Sequence, residues 1–220
     1  MRLFAALTIG VLMAACVQGQ DTPARSAPVE SKGLPPRATP ADYQAQAKAG
    51  AVTIAAEFKG HAVPTAQGPL TTEDFVVVEM GLFGAPDARM KISADDFSLR
   101  VNGKKAALPT RPFGMILSSV KDPEWIPPEP VKSKSKTSLG GGGGGGGDQG
   151  DAPPPPPKVP FEVQRAMAQR VQKATLAEGD RTLPQAGLVY FQYRGAVKGI
   201  RSVELVYDGL AGKVTLALQP

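Results

Sequence analysis

Along several stretches of this chain, apolar and polar side chains alternate with a period of two. Within residues 52–59, Val52, Ile54, Ala56 and Phe58 share one face, and Thr53, Glu57 and Lys59 the other. Val76, Val78, Met80 and Leu82 alternate with Val77, Glu79 and Gly81, and Phe97, Leu99 and Val101 with Ser98 and Arg100. The rhythm returns in Val189, Phe191 and Tyr193, in Val203, Leu205 and Tyr207, and in Val214, Leu216 and Leu218. A two-residue repeat with one polar face marks a half-buried antiparallel strand. Asn102-Gly103, closing the third run, is a strong hairpin signal. With weaker candidates near 104–108 and 113–120, the pattern predicts a mainly β protein, an antiparallel two-sheet sandwich.

One segment changes period. From residue 161 to 178, Val163, Met167, Val171 and Ala174 recur at helical spacing, with Arg165, Gln169 and Gln172 elsewhere around the wheel. Pro160 and Gly179 bracket it, which predicts a packed helix of about four turns near 161–178. Membrane-surface helices carry larger apolar residues and denser Lys and Arg, so packing is the expected role.

Composition decides where the domain lies. Most of the 22 prolines and about half of the 25 glycines fall in residues 1–40 and 126–160. Residues 20–40 are polar and Pro-rich, and form a disordered tether in this reading. The stretch 126–160 runs through Lys132-Ser133-Lys134-Ser135-Lys136, glycines 140–147 and prolines 153–157. With few apolar side chains to offset the entropy of ordering, it is expected to be a disordered, low-complexity insertion. Strand signals on both sides make residues 41–220 one β-domain interrupted by it.

The net charge of +5 invites a nucleic-acid partner, but basic residues are scattered singly through the foldable part, apart from Lys104-Lys105. A nucleic-acid face concentrates them, so that partner class is set aside. Residues 1–19 have the form of a secretory leader: Arg2, an apolar run, then small residues. The apolar run is too short to span a bilayer. Two cleavage readings stay open. Leu12-Met13-Ala14-Ala15-Cys16 resembles a bacterial lipobox with Cys16 as the lipidation site, while cleavage after Gly19 would discard it.

Candidate chemistry is sparse. The single histidine, His61, sits at a strand end or turn, where a solvated role is expected, and no G-x-S-x-G elbow accompanies it. The glycine run lacks the Lys-Ser/Thr of a phosphate loop. Glu73-Asp74 and Asp95-Asp96 are acidic pairs without calcium-loop spacing, and Asp95-Asp96 is expected to bond its own backbone at a strand entry. Trp125, the only tryptophan, is a candidate partner contact or edge plug beside the insertion. No catalytic residue, metal ligand or cofactor site is expected.

Two blocks carry a family resemblance. The first is Phe75-Val76-Val77-Val78-Glu79-Met80 with Asp95-Asp96-Phe97-Ser98-Leu99-Arg100-Val101-Asn102-Gly103-Lys104. The second is Leu183-Pro184-Gln185-Ala186-Gly187-Leu188-Val189-Tyr190-Phe191 with Val203-Glu204-Leu205-Val206-Tyr207-Asp208-Gly209. Together they resemble the Ig-like, telokin-like sandwich domains of uncharacterised bacterial secreted proteins and lipoproteins. The resemblance implies an Ig-like β-sandwich and an extracytoplasmic location, periplasmic or secreted, but no catalytic residues. The expected function is a non-catalytic binding or interaction module of the cell envelope. Its partner would be an envelope protein or surface component. A structural or assembly subunit, or a carboxylate-based or metal-dependent hydrolase, is the alternative.

Overall fold

A computed structural model describes residues 32–126 and 159–220. The first part holds β1 (Ala45–Ala49), β2 (Val52–Gly60), β3 (Ala62–Val63), β4 (Leu70–Thr72), β5 (Phe75–Phe83), β6 (Arg89–Ile92), β7 (Phe97–Val101), β8 (Leu108–Arg111), a short α1 (Phe113–Ile116) and β9 (Val120–Lys121). The second holds α2 (Phe161–Ala174), β10 (Gly179–Thr182), β11 (Gln185–Gln192), β12 (Val203–Gly209) and β13 (Gly212–Leu218). The leader, Cys16 and most of the tether and insertion lie outside the described residues.

The protein is mainly β and its strand pairs are antiparallel. Eight strands run in the order β1-β2-β5-β11-β8-β7-β12-β13. The sheet curls until its edges β1 and β13 lie alongside, with Gln44 Nε2 donating to Gln219 O at 2.9 Å. It is close to a barrel. β8 is the narrow joint, sharing only two register pairs with β11 and two with β7. Two small sheets, β10-β6 and β3-β4-β9, flank it.

The period-two residues converge inside. Val52, Ile54, Ala56 and Phe58 meet Val76, Val78, Met80 and Leu82 in one core, which Phe97, Leu99, Phe191, Leu205 and Leu216 also enter. At about 25 cal/mol per Å² of apolar surface removed from water, this burial is the main force closing the sheet.

A second core lies on the outer face and corrects the half-buried reading of β5. Every residue from Phe75 to Leu82 is buried, because Phe75 and Val77 point outward into a layer formed with Leu70, Ile116, Met167, Val171 and Tyr190. The lid of that layer is α2, whose Met167, Val171 and Ala174 face down. Arg170 ties α2 down, pairing with Asp122 at 2.7 Å and donating to Gly68 O at 3.0 Å.

Other expectations shift. The helix stops at Ala174, short of residue 178: Thr175 turns extended and Leu176 N donates to Leu188 O at 3.0 Å. Gly187 permits this crossing, since a Cβ there would lie 2.4 Å from Leu176 Cα. The weak strand candidates move to 108–111 and 120–121, with α1 between them. Asn102 and Gly103 do adopt left-handed conformations at φ 55° and 65°, yet the loop they begin runs on to Leu108. Residues 34–37 of the expected tether are fastened to the sheet, Leu34 N donating to Ala186 O at 2.9 Å.

Candidate functional site

A concave surface of about 450 Å³ lies where β8 parts from β11. Five pieces of chain build it: the end of β8 with Pro112 and Phe113, the extended segment after α2, β10 through Arg181, the middle of β11, and the 3₁₀ turn Ala94–Asp96. Its walls are held by hydrogen bonds that use up most of its polar groups. Thr110 Oγ1 donates to Ala94 O at 3.0 Å, and Ala94 N donates to Glu178 Oε1 at 2.8 Å. Thr175 Oγ1 gives its one hydrogen to Val171 O at 2.9 Å, so the Tyr190 hydroxyl, 3.1 Å away, is the donor to Thr175. Burial pushes the Tyr190 hydroxyl well above its ordinary value, and its bond with Thr175 opposes this only in part.

Arg111 is different. It stands opposite Tyr190 in the β8–β11 register and lines the cleft. Among the described residues its Nε is the one buried side-chain nitrogen or oxygen without a hydrogen-bond partner, and it forms no ion pair there. A buried donor left unpaired costs roughly 1–3 kcal/mol, so this is an expensive group to keep for structure alone.

Elsewhere on the outer face four charges form a closed network. Arg37 Nε donates to Glu79 Oε1 at 3.1 Å and Nη2 to Glu79 Oε2 at 3.0 Å, while Nη2 also meets Glu57. Lys59 Nζ bridges Glu57 at 2.7 Å and Glu79 at 3.1 Å. The Arg37 guanidinium lies 4.4 Å over the Tyr43 ring. Burial works against charge at both Arg37 and Glu57, but hydrogen bonds and opposite charges outweigh it. The guanidinium is therefore raised and the Glu57 carboxyl lowered.

The sequence candidates are dispersed. Trp125 is half-buried and lines a separate apolar pocket of about 300 Å³ with Val163 and Met167. Glu73 pairs with Lys121 at 2.5 Å, and Asp74 with Arg194 at 3.4 Å. Asp95 and Asp96 sit on the 3₁₀ turn, where it is the Ser93 side chain that accepts from Asp95 N. The expected Asp-to-backbone bond is thus made by the serine, which occupies the cap. Burial, then the charges of Asp95 and Asp208, raise the Asp96 carboxyl. His61 is no free turn residue: Nδ1 lies 2.6 Å from Phe75 O and Nε2 3.0 Å from Gly195 O, so the ring bridges two backbone carbonyls. No group of three or more His, Cys, Asp or Glu among the described residues could hold a metal ion. No described helix is long and apolar enough to cross a membrane.

The sequence reading did not single out Arg111, Arg37 or Glu79 as site residues. Glu79 did carry a signal, as the one carboxylate inside an apolar strand run, where burial demands a cation. Arg111 carried none, because only the tertiary parting of β8 from β11 leaves it without a partner.

Fold and cleft together define an antiparallel β-domain with a curled sheet, a helix-covered outer face and a cleft at the sheet's weakest joint. Comparison with known protein families, curated proteins and solved structures finds no match for this chain.

Proposed function

We propose that the protein is a non-catalytic, extracytoplasmic binding module of the bacterial cell envelope. The observation that carries this reading is the cleft: it keeps a buried unpaired donor, Arg111 Nε, while Thr110, Thr175, Tyr190 and the Glu178 carboxylate are engaged in hydrogen bonds. A binding site needs a few unspent polar groups in an apolar setting. A hydrolase built on Asp95 and Asp96 would need an opposed partner group. In this proposal the fold is an Ig-like sandwich, with β1-β2-β5-β11 and β7-β12-β13 as facing layers joined through β8. The leader directs export, and the mature chain begins either at a lipidated Cys16 or after Gly19.

The test has two arms. Cell fractionation and intact-mass analysis in the native host should find a processed chain in the envelope or medium, and an unprocessed cytoplasmic chain overturns the location. Screening the mature protein against ester, phosphate and glycoside reporters should show no turnover. Turnover abolished by Asp95→Asn or Asp96→Asn would make it an enzyme.

A second reading, an assembly subunit, draws support from exposed apolar side chains around α2 and the insertion. Phe161 is 72 % exposed, Ile126 84 % and Met115 48 %. Sedimentation that stays monomeric over a wide concentration range would remove it.

A further inference from the structure

We propose that the β8–β11 cleft recognises a monocarboxylate carrying an apolar body, with Arg111 as the residue that takes the carboxylate. This deepens the binding-module reading above and rests on it.

The guanidinium points to the charged group. Nε–H and the neighbouring Nη–H form the side-on fork of an arginine, which matches the two oxygens of a carboxylate. At Arg111 the Nε half of that fork is buried and unpartnered among the described residues. It is the property that separates this residue from Arg37, whose Nε donates to Glu79 Oε1, and from Arg170, whose Nε donates to Thr65 Oγ1.

The walls point to the rest of the ligand. Phe113, Leu176 and Leu188 line the cleft, and its volume of about 450 Å³ lies within the span of small-molecule sites. A hydrated inorganic ion would gain nothing from such walls, whereas an aliphatic or aromatic body is removed from water there.

The rim limits the charge. The cleft carries two acidic side chains, Asp95 and Glu178, against two basic ones, Arg111 and Arg181. Glu178 is held by Ala94 N and Asp95 lies exposed on the 3₁₀ turn. A dianion such as phosphate would bring a second negative charge to a balanced site, where like charges repel. A single carboxylate adds only the charge that Arg111 is placed to meet.

The fork also sits on a rigid mount. Arg111 is in register with Tyr190, whose hydroxyl is bonded to Thr175, and Gly187 lets the Thr175–Leu176 segment press against β11. The walls are therefore held in place before any ligand arrives, and only the Arg111 guanidinium, whose Nε is closed to water in this structure, turns toward the carboxylate on binding.

The experiment follows the Arg111 Nε–H resonance by nitrogen-15 NMR in the mature full chain. Three probes are titrated: phenylacetate, its neutral analogue phenylacetamide, and inorganic phosphate. Arg111→Lys and Arg111→Met are titrated in parallel. Phenylacetate should shift the resonance saturably and bind at least about tenfold more tightly than phenylacetamide, the scale of one charge-assisted hydrogen bond. Arg111→Met should abolish that preference, and Arg111→Lys should retain part of it, because an ammonium keeps the charge without the planar fork. Equal binding of acid and amide, preference for phosphate, or an unmoved resonance up to millimolar phenylacetate each overturns the proposal. Pull-down from envelope extract with wild type and Arg111→Met separates the two levels. Capture that survives in the variant leaves the binding-module reading standing and the cleft proposal refuted. No capture by either protein, together with no probe binding, refutes both.

Discussion

Arg37 and Arg111 both stand on the outer face of the same curled sheet, and they live in opposite circumstances. Arg37 spends its fork on Glu79, touches Glu57, and stacks on Tyr43. Arg111 faces a cleft with its Nε buried and unmatched. Both guanidiniums are partly withdrawn from water, so both pay desolvation; only one is compensated within the fold. The contrast separates a cation that fastens structure from one whose Nε has no partner among the described residues.

The comparison can be broken from either end. The largest effect is expected at Glu79, whose loss leaves Arg37 and Lys59 to share Glu57. Glu79→Ala should cost about 3 kcal/mol in urea denaturation at neutral pH, and a loss below about 0.5 would mean the network fastens nothing. Arg37→Met should cost less, about 2 kcal/mol, as charge-assisted bonds and the Tyr43 contact go together.

The third effect is a pH dependence. The folded Glu57 carboxyl lies below its ordinary value of 4.5, so its contribution is complete above that value and is lost as pH falls through the lowered one. Glu57→Gln should flatten this acid limb of the stability profile, and Arg111→Met should leave it unchanged. Asp96 has the opposite sign. Its folded value is raised above 3.8, so the charged form weakens the fold as pH rises through the folded value. Asp96→Asn should gain slightly in thermal midpoint at neutral pH and lose that gain below the ordinary aspartate range.

Smallest of all is Arg111→Met. It breaks no described hydrogen bond and removes a buried unpaired donor, so its stability should be unchanged or raised by about 1 kcal/mol. A large loss would show that Arg111 is a second fastening and erase the contrast.

The inner core was legible in the sequence because it is written in the period-two repeat. Val52 to Phe58, Val76 to Leu82 and Val203 to Tyr207 all turn inward as their alternation requires. The outer core was only half legible. The stripe Val163, Met167, Val171 and Ala174 announced a helix with something to cover, but nothing local says that Phe75 and Val77 lie beneath it. β1 escaped notice because its three alanines, one glutamine and one lysine carry little contrast between faces. The cleft was not legible at all, since it arises where a four-residue strand leaves its neighbour after two pairs. Pairing length depends on the whole sheet rather than on any local pattern of residues.

The attachment of residues 34–37 has a mechanical meaning. Tension applied to the chain ahead of Lys32 would first meet Leu34, held by its hydrogen bond to Ala186 O and by packing against the outer core. The pull would then arrive at Arg37, where bonds to Glu79 and contact with Glu57 resist together across two strands, β2 and β5. The arm is thus held at two points, one through Leu34 and one through Arg37. The first of these points lies on β11, the strand that also floors the cleft.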